Sequence, residues 1–191
     1  MAEFKCVYQY PREELLRTGF PHRGKWNGEV FPESRPLIVE LGCGKGEYTV
    51  GLARHDGTHN FVGIDIKGAR MWSGARELEA SGMTNAAFLR AEIENIEHFF
   101  VPGEVDELWI TFPDPQMQKV RKRLTSTRFL NLYRKLLKPD GIVNLKTDSP
   151  FLYEYTRRLV KLNGLPLLSD SADIYGPVSY THLRAHETRG N

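Results

Sequence analysis

The stretch Val39-Glu40-Leu41-Gly42-Cys43-Gly44-Lys45-Gly46 ends an apolar run in three alternating glycines, and no other feature constrains the chain as much. Leu37-Ile38-Val39 is short, apolar and partly β-branched, as a buried parallel strand requires. Glu47 to His55 follows with helix-compatible spacing. The unit is therefore a strand, a glycine turn and a helix. Glycines there permit backbone dihedrals closed to other residues and let a ligand reach the main chain without meeting a Cβ. The helix behind them turns its free N–H groups toward the same point.

The spacing narrows the ligand. A dinucleotide fingerprint, G-x-G-x-x-G, needs a third glycine where this sequence has Glu47. Counted from Glu40, the pattern is E-x-G-x-G-x-G, which resembles the first motif of class I methyltransferases dependent on S-adenosylmethionine (AdoMet). The resemblance implies that Glu40 lies beneath the methionine end of the cofactor and that Gly42, Gly44 and Gly46 cradle it. A tight strand-to-helix connection that binds nothing is the structural alternative.

A chain of 191 residues fits one domain large enough to bury a core without crosslinks. Its 40% hydrophobic and 26% charged residues are ordinary for a soluble protein. No apolar run approaches membrane-spanning length, and the first residues lack a signal-peptide core. Two cysteines, Cys6 and Cys43, are too few for a disulfide framework, so a reducing cytoplasm is expected. The net charge of +2 does not point to nucleic acid, but its distribution does. Between Gln116 and Lys138 there are eight basic residues and no Asp or Glu. Solvated helix faces usually mix signs, so a one-sign block favours a polyanion.

Residues 1–36 read as an arm packed on the domain, aromatic and proline-bearing, with one helical turn at Arg12 to Arg17. Its basic residues Arg12, Arg17, His22, Arg23 and Lys25 fit RNA contact and plain surface charge equally well. Phe61 to Asp65 is a second buried strand, and Asp65 stands where nucleotide-binding folds place a carboxylate for ribose hydroxyls. Gly68 to Ala80 is a helix whose Met71, Trp72, Ala75 and Leu78 stripe belongs to the core. Ala87 to Ala91 is a third strand, and Glu92 either meets the cofactor or opens a short helix. Val105 to Ile110 is the fourth. At its carboxyl edge comes Thr111-Phe112-Pro113-Asp114-Pro115, two prolines holding one acid stiffly at the mouth of the cleft. Lys138-Pro139-Asp140-Gly141 turns into a fifth strand, Ile142 to Lys146. Thr147 and Asp148 follow, facing the cleft, or with Asp148 capping the helix near Pro150.

The glycine motif, Asp65, Phe112-Pro113-Asp114-Pro115, Arg121-Lys122-Arg123 and Lys146-Thr147-Asp148 resemble, in order and spacing, the bacterial tRNA (guanine-N7)-methyltransferases of the TrmB type. The likeness covers about residues 37–165. It implies an α/β, Rossmann-like class I methyltransferase fold, a mostly parallel sheet with helices on both faces. It further implies AdoMet as cofactor, tRNA as partner, and a variable-loop guanosine converted to 7-methylguanosine. Asp114 takes the catalytic position by this resemblance, and Glu40, Asp65 and Glu92 fall on cofactor-binding acids. Lys119, Arg121, Lys122, Arg123, Thr147 and Asp148 fall on the substrate side. An AdoMet enzyme for another RNA base, or a tRNA-binding protein without turnover, is the alternative. Monomer and homodimer stay equally open.

Two departures stand out. The family follows FPDP with Trp and then a lysine two residues on, whereas this chain has Gln116-Met117-Gln118 before Lys119, an approximate stand-in. From Pro177 the sequence lacks the family's Thr-x-[Tyr/Phe]-Glu motif and any strand pattern. Residues 177–191 are therefore expected to be an atypical, non-native tail beyond a methyltransferase domain of 37–176, with the closing strands missing or altered. The pair His182 and His186 is not read as a metal site, because two ligands alone do not hold an ion.

Overall fold

The structure, a computed structural model, describes residues 4–172 and the backbone of 181–184. Six strands run parallel: β1 (Val7–Gln9), β2 (Leu37–Leu41), β3 (Asn60–Asp65), β4 (Ala86–Arg90), β5 (Val105–Thr111) and β6 (Leu137–Lys146). β7 (Leu167–Ser169) and β8 (Thr181–Arg184) close the sheet, β8 antiparallel to both β6 and β7, in the order β1-β4-β3-β2-β5-β6-β8-β7. The helices are α1 (Arg12–Thr18), α2 (Glu47–His55), α3 (Gly68–Ser81), α4 (Thr127–Leu136) and α5 (Pro150–Leu162). From β2 the chain builds outward through β3 to β4, then returns with β5 to the other side of β2. The switch point thus lies at the carboxyl ends of β2 and β5, where open α/β sheets bind ligands.

All five residues of β2 are buried, and their alternation divides two cores. Ile38 packs with Val50, Met71 and Leu78 under α2 and α3, whereas Leu37, Val39 and Leu41 join a larger core on the opposite face. The arm belongs to that second core. Trp26 is fully buried, stacks on Phe100 with centroids 5.2 Å apart, and donates its indole N–H to the Phe99 carbonyl at 2.9 Å.

Four local expectations change. The arm contributes β1, whose three half-buried residues carry no period and are ordered by pairing with Phe88 to Arg90. Trp72 leaves the core stripe and stands 46% exposed, with the Arg76 guanidinium over its ring. Lys138 to Gly141 is a bulge inside β6 rather than a turn before it, since Val105 pairs with Leu137 and Glu107 with Ile142. Finally, Thr181–Arg184 forms a strand where none was expected, because backbone pairing with Ile142 to Leu145 orders four residues too few to show a period. The closing strands are thus present but short. His186, Glu187 and the rest of the tail lie outside the described residues.

Three glycines bring the loop, sheet and helix together. A Cβ on Gly74 of α3 would lie 2.6 Å from the Lys45 carbonyl and 2.7 Å from Phe88 Cζ, and one on Gly46 would meet the same ring. One on Gly63 would lie 2.5 Å from Thr49 Oγ1. Alanine is the better helix former by about 0.5–1 kcal/mol, yet Gly74→Ala is expected to lower stability by about 1–3 kcal/mol through overpacking. The midpoint of urea unfolding measures it.

Candidate active site

β2 ends in the glycine loop, where Gly42 and Gly44 take φ of 78° and 56°. A Cβ at either would meet nothing within 4 Å, so both faces stay open to a ligand. Gly46 (φ 81°) begins α2 and is committed to packing. The acids around the loop divide its support. Asp65, 8% exposed, accepts the Gly44 N–H at 3.0 Å through one oxygen and the Lys67 N–H at 2.7 Å through the other. Two of its roughly four lone-pair sites remain.

Glu40 is 4% exposed and lies under the loop on the α2 face. Its two oxygens accept the hydroxyls of Thr49 and Thr111, each at 2.5 Å, which ties β2 to α2 and to the end of β5. Burial raises its pKa against the lowering effect of those two hydroxyls, and the Asp65 charge adds to the rise. Glu40 therefore acts from beneath and does not line the open cleft.

The cleft beside the loop measures about 230 Å³ and is lined by Gly42, Asp65, Glu92, Gln116, Lys122 and Phe129 among others. A second hollow of about 530 Å³, between Tyr10 and Arg12 of the arm and Arg90 of β4, shares Ile66, Ala91 and Glu92 with it. Glu92 occupies two settings at once. It lines the cleft, and it also precedes the short turn Ile93–His98, accepting from Asn95 Nδ2 at 2.8 Å.

Asp114 projects from the end of β5 on a strained turn. Phe112 (φ 45°) and Gln116 (φ 47°) flank it in the left-handed region, at a cost of about 1–3 kcal/mol each. Gln116 donates its backbone N–H to one Asp114 oxygen at 2.9 Å and its amide to the other at 3.0 Å. Since Gln116 also lines the cleft, the exposed Asp114 carboxylate is one hydrogen bond from the cleft wall.

The basic block divides. Arg123 departs from the expected RNA-facing role: it is 4% exposed and donates to the carbonyls of Pro115, Gln116 and Met117. Its guanidinium also lies over the rings of Phe151 and Tyr155, 4.6 and 4.4 Å from their centroids. It clamps the Asp114 turn against α5 and has little left for phosphate. Lys135 and Lys138 are engaged by Glu97 and Asp106. Lys119, Arg121 and Lys122 are exposed and form no ion pair among the described residues.

At the end of β6, Thr147 is buried and accepts the Ser149 N–H at 3.1 Å, while Asp148 is exposed. Ser149, not Asp148, caps α5, accepting the Leu152 N–H at 3.3 Å. Sequence reasoning passed over Tyr48 and took Lys146 only as the first residue of the Lys146-Thr147-Asp148 motif. The Lys146 ammonium donates to the Tyr48 hydroxyl at 2.5 Å and lies 5.6 Å from the centroid of the Phe112 ring. This links α2 to the Asp114 turn, and the position of Lys146 just before Thr147-Asp148 was the available signal.

A glycine loop at the switch point, acids at the next strand ends and a fixed carboxylate on β5 define the methyltransferase class of Rossmann-like domains. Known proteins agree. A family model described as a putative methyltransferase matches residues 34–170. Among solved structures, the 16S rRNA (adenine(1408)-N(1))-methyltransferase of Catenulisporales acidiphilia, in a variant with cosubstrate SAM, aligns over 82% of this chain and 87% of its own. With a TM-score of 0.60 and 18% identity, it shares the fold. The tRNA (guanine-N(7)-)-methyltransferase of Porphyromonas gingivalis is 57% identical over 92% of this chain and 73% of its own length. That of Bacteroides thetaiotaomicron is 52% identical over 92% and 69%. The chain belongs to the tRNA (guanine-N(7)-)-methyltransferase family.

Two outcomes follow for these side chains. Arg123→Met leaves three carbonyls without their donor and is expected to cost about 1–3 kcal/mol, read by urea unfolding, with Arg123→Lys unable to restore the forked, stacked geometry. For Glu40, the unfolded chain loses its proton in the ordinary glutamate range while the folded one holds it to higher pH. Glu40 therefore subtracts stability as pH rises through that interval. Glu40→Gln removes this slope, so the gap between variant and parent thermal midpoints should change in the variant's favour as pH rises above the ordinary glutamate range. A gap that stays constant refutes the ionisation argument.

Proposed function

We propose that this chain transfers a methyl group from AdoMet to N7 of a guanosine in tRNA, with Asp114 at the acceptor. The observation that carries this reading is the Asp114 carboxylate, fixed on a strained turn one hydrogen bond from the wall of the glycine-loop cleft, with the exposed cations Lys119, Arg121 and Lys122 following in sequence. The activity for which the relatives from Porphyromonas gingivalis and Bacteroides thetaiotaomicron are named supports the choice of acceptor.

The residues of the cleft suit AdoMet. Gly42 and Gly44 leave main chain approachable, Asp65 keeps acceptor capacity for ribose hydroxyls, and Glu92 offers an acceptor for an adenine amino group. When bound, AdoMet supplies an electrophilic methyl carried on a sulfonium sulfur. Guanine N7 already bears a lone pair, so no residue has to remove a proton before attack. The chain's work is alignment and charge compensation. Asp114 grips the base edge or offsets the positive charge that grows on the ring, and its turn is stiff enough to do so without reorganising. Glu40, through Thr49 and Thr111, holds glycine loop and Asp114 strand in one frame. Thr147 and Asp148 border the acceptor side, and Lys119, Arg121 and Lys122 meet phosphates in the cytoplasm.

Incubation with labelled AdoMet and tRNA, followed by nucleoside analysis, should yield 7-methylguanosine; another methylated nucleoside, or none, overturns the reading. Asp114→Asn keeps the shape and removes the charge. It is expected to lower kcat/KM at least about 100-fold, or roughly 2.7 kcal/mol. A loss under about tenfold sinks the role of Asp114.

A further inference from the structure

Beside Asp114 the structure exposes apolar surface that the chemistry above does not use. Met117 is 61% exposed and Val120 50% exposed, on one loop between Pro115 and Arg123. Apolar side chains held out among cations are what nucleic-acid wedges present. This loop is held from folding back. Arg123 bonds three of its carbonyls from within, and three backbone bonds brace it: Lys119 N–H to Gln116 at 3.0 Å, Lys122 N–H to Lys119 at 2.8 Å, and Arg123 N–H to Val120 at 3.1 Å. Lys119, Arg121 and Lys122 interleave with the apolar pair, and no acid occurs from Pro115 to Pro139. Charge therefore selects a polyanion as the occupant.

Taking the tRNA reading as given, we propose that this loop is a wedge: Met117 and Val120 enter the RNA base stack and fill the space left by the guanosine drawn toward Asp114. Chemistry on a base requires it to leave the stack, and apolar side chains inserted between bases hold such openings. Gln116 makes the wedge and the acid one rigid piece, since it bonds Asp114 and begins the braced loop. Docking the cations on the backbone thus brings the wedge to the stack and the carboxylate to the extruded base together.

The test uses the whole chain and a tRNA carrying 2-aminopurine next to the target guanosine. With the parent, fluorescence rises on binding as stacking is lost. Met117→Ser with Val120→Ser should cut that rise at least about fivefold at saturating protein while Kd changes less than about threefold. Met117→Leu, equally apolar, should keep it. Lys119→Ala with Arg121→Ala should reverse the pattern, with weaker binding and a shallower salt slope but the full rise at saturation. No rise with the parent, or a full rise with the double serine variant, overturns the wedge and leaves the patch to a protein contact. Failure of the parent to form 7-methylguanosine would instead refute the reading on which the wedge rests.

Discussion

The fully buried ring of Phe88, on β4, occupies the volume that Cβ atoms would take at Gly46, Gly63 and Gly74. Loop, strand and helix can therefore approach that ring only as bare backbone. This contact sets how deep the glycine loop sits, and the rest of the cofactor side follows from it. The Gly74 N–H reaches the Lys45 carbonyl at 2.9 Å, and Asp65 reaches Gly44 from the neighbouring strand. The third glycine of the motif serves packing, while the first two leave the main chain open. One pattern thus meets two demands at different positions.

The acceptor side is organised differently, around a buried cation. Arg123 exchanges water for three carbonyls and two aromatic faces, and so fixes a turn whose backbone is strained at both ends. A buried guanidinium is tolerable because each of these contacts replaces part of its hydration. The strain at Phe112 and Gln116 persists because this anchor, with the Phe112 N–H to Lys146 carbonyl bond, over-determines the turn. The Asp114 carboxylate is therefore set in place by the folded chain alone.

Much of this was legible in the sequence where a local rule acts over enough residues. The buried runs of β2 to β5, α2 behind the glycines, and Asp65 and Asp114 at strand ends all follow from periodicity and turn chemistry. What escaped depended on partners far along the chain. β1 and β8 are three and four residues long and exist through their neighbours' hydrogen bonds. Arg123 looks like its basic neighbours in sequence, and only its carbonyl partners and the rings of Phe151 and Tyr155 in the folded chain distinguish it. Likewise the link from Lys146 to Tyr48 spans 98 residues, beyond any local pattern. The division of the eight basic residues, among the described residues, into paired, buried and exposed groups is equally a matter of three-dimensional placement.

The pairing of β1 with β4 bears on how the molecule is made. Val7 finds its sheet partner in Phe88, about eighty residues later, and Trp26 waits as long for Phe99 and Phe100. During synthesis at about 5–20 residues per second, the arm leaves the ribosome with its largest aromatic unburied for several seconds. For that interval the nascent chain carries an aggregation hazard, which ends only when the emerging edge strand β4 and the turn behind it give the arm its place.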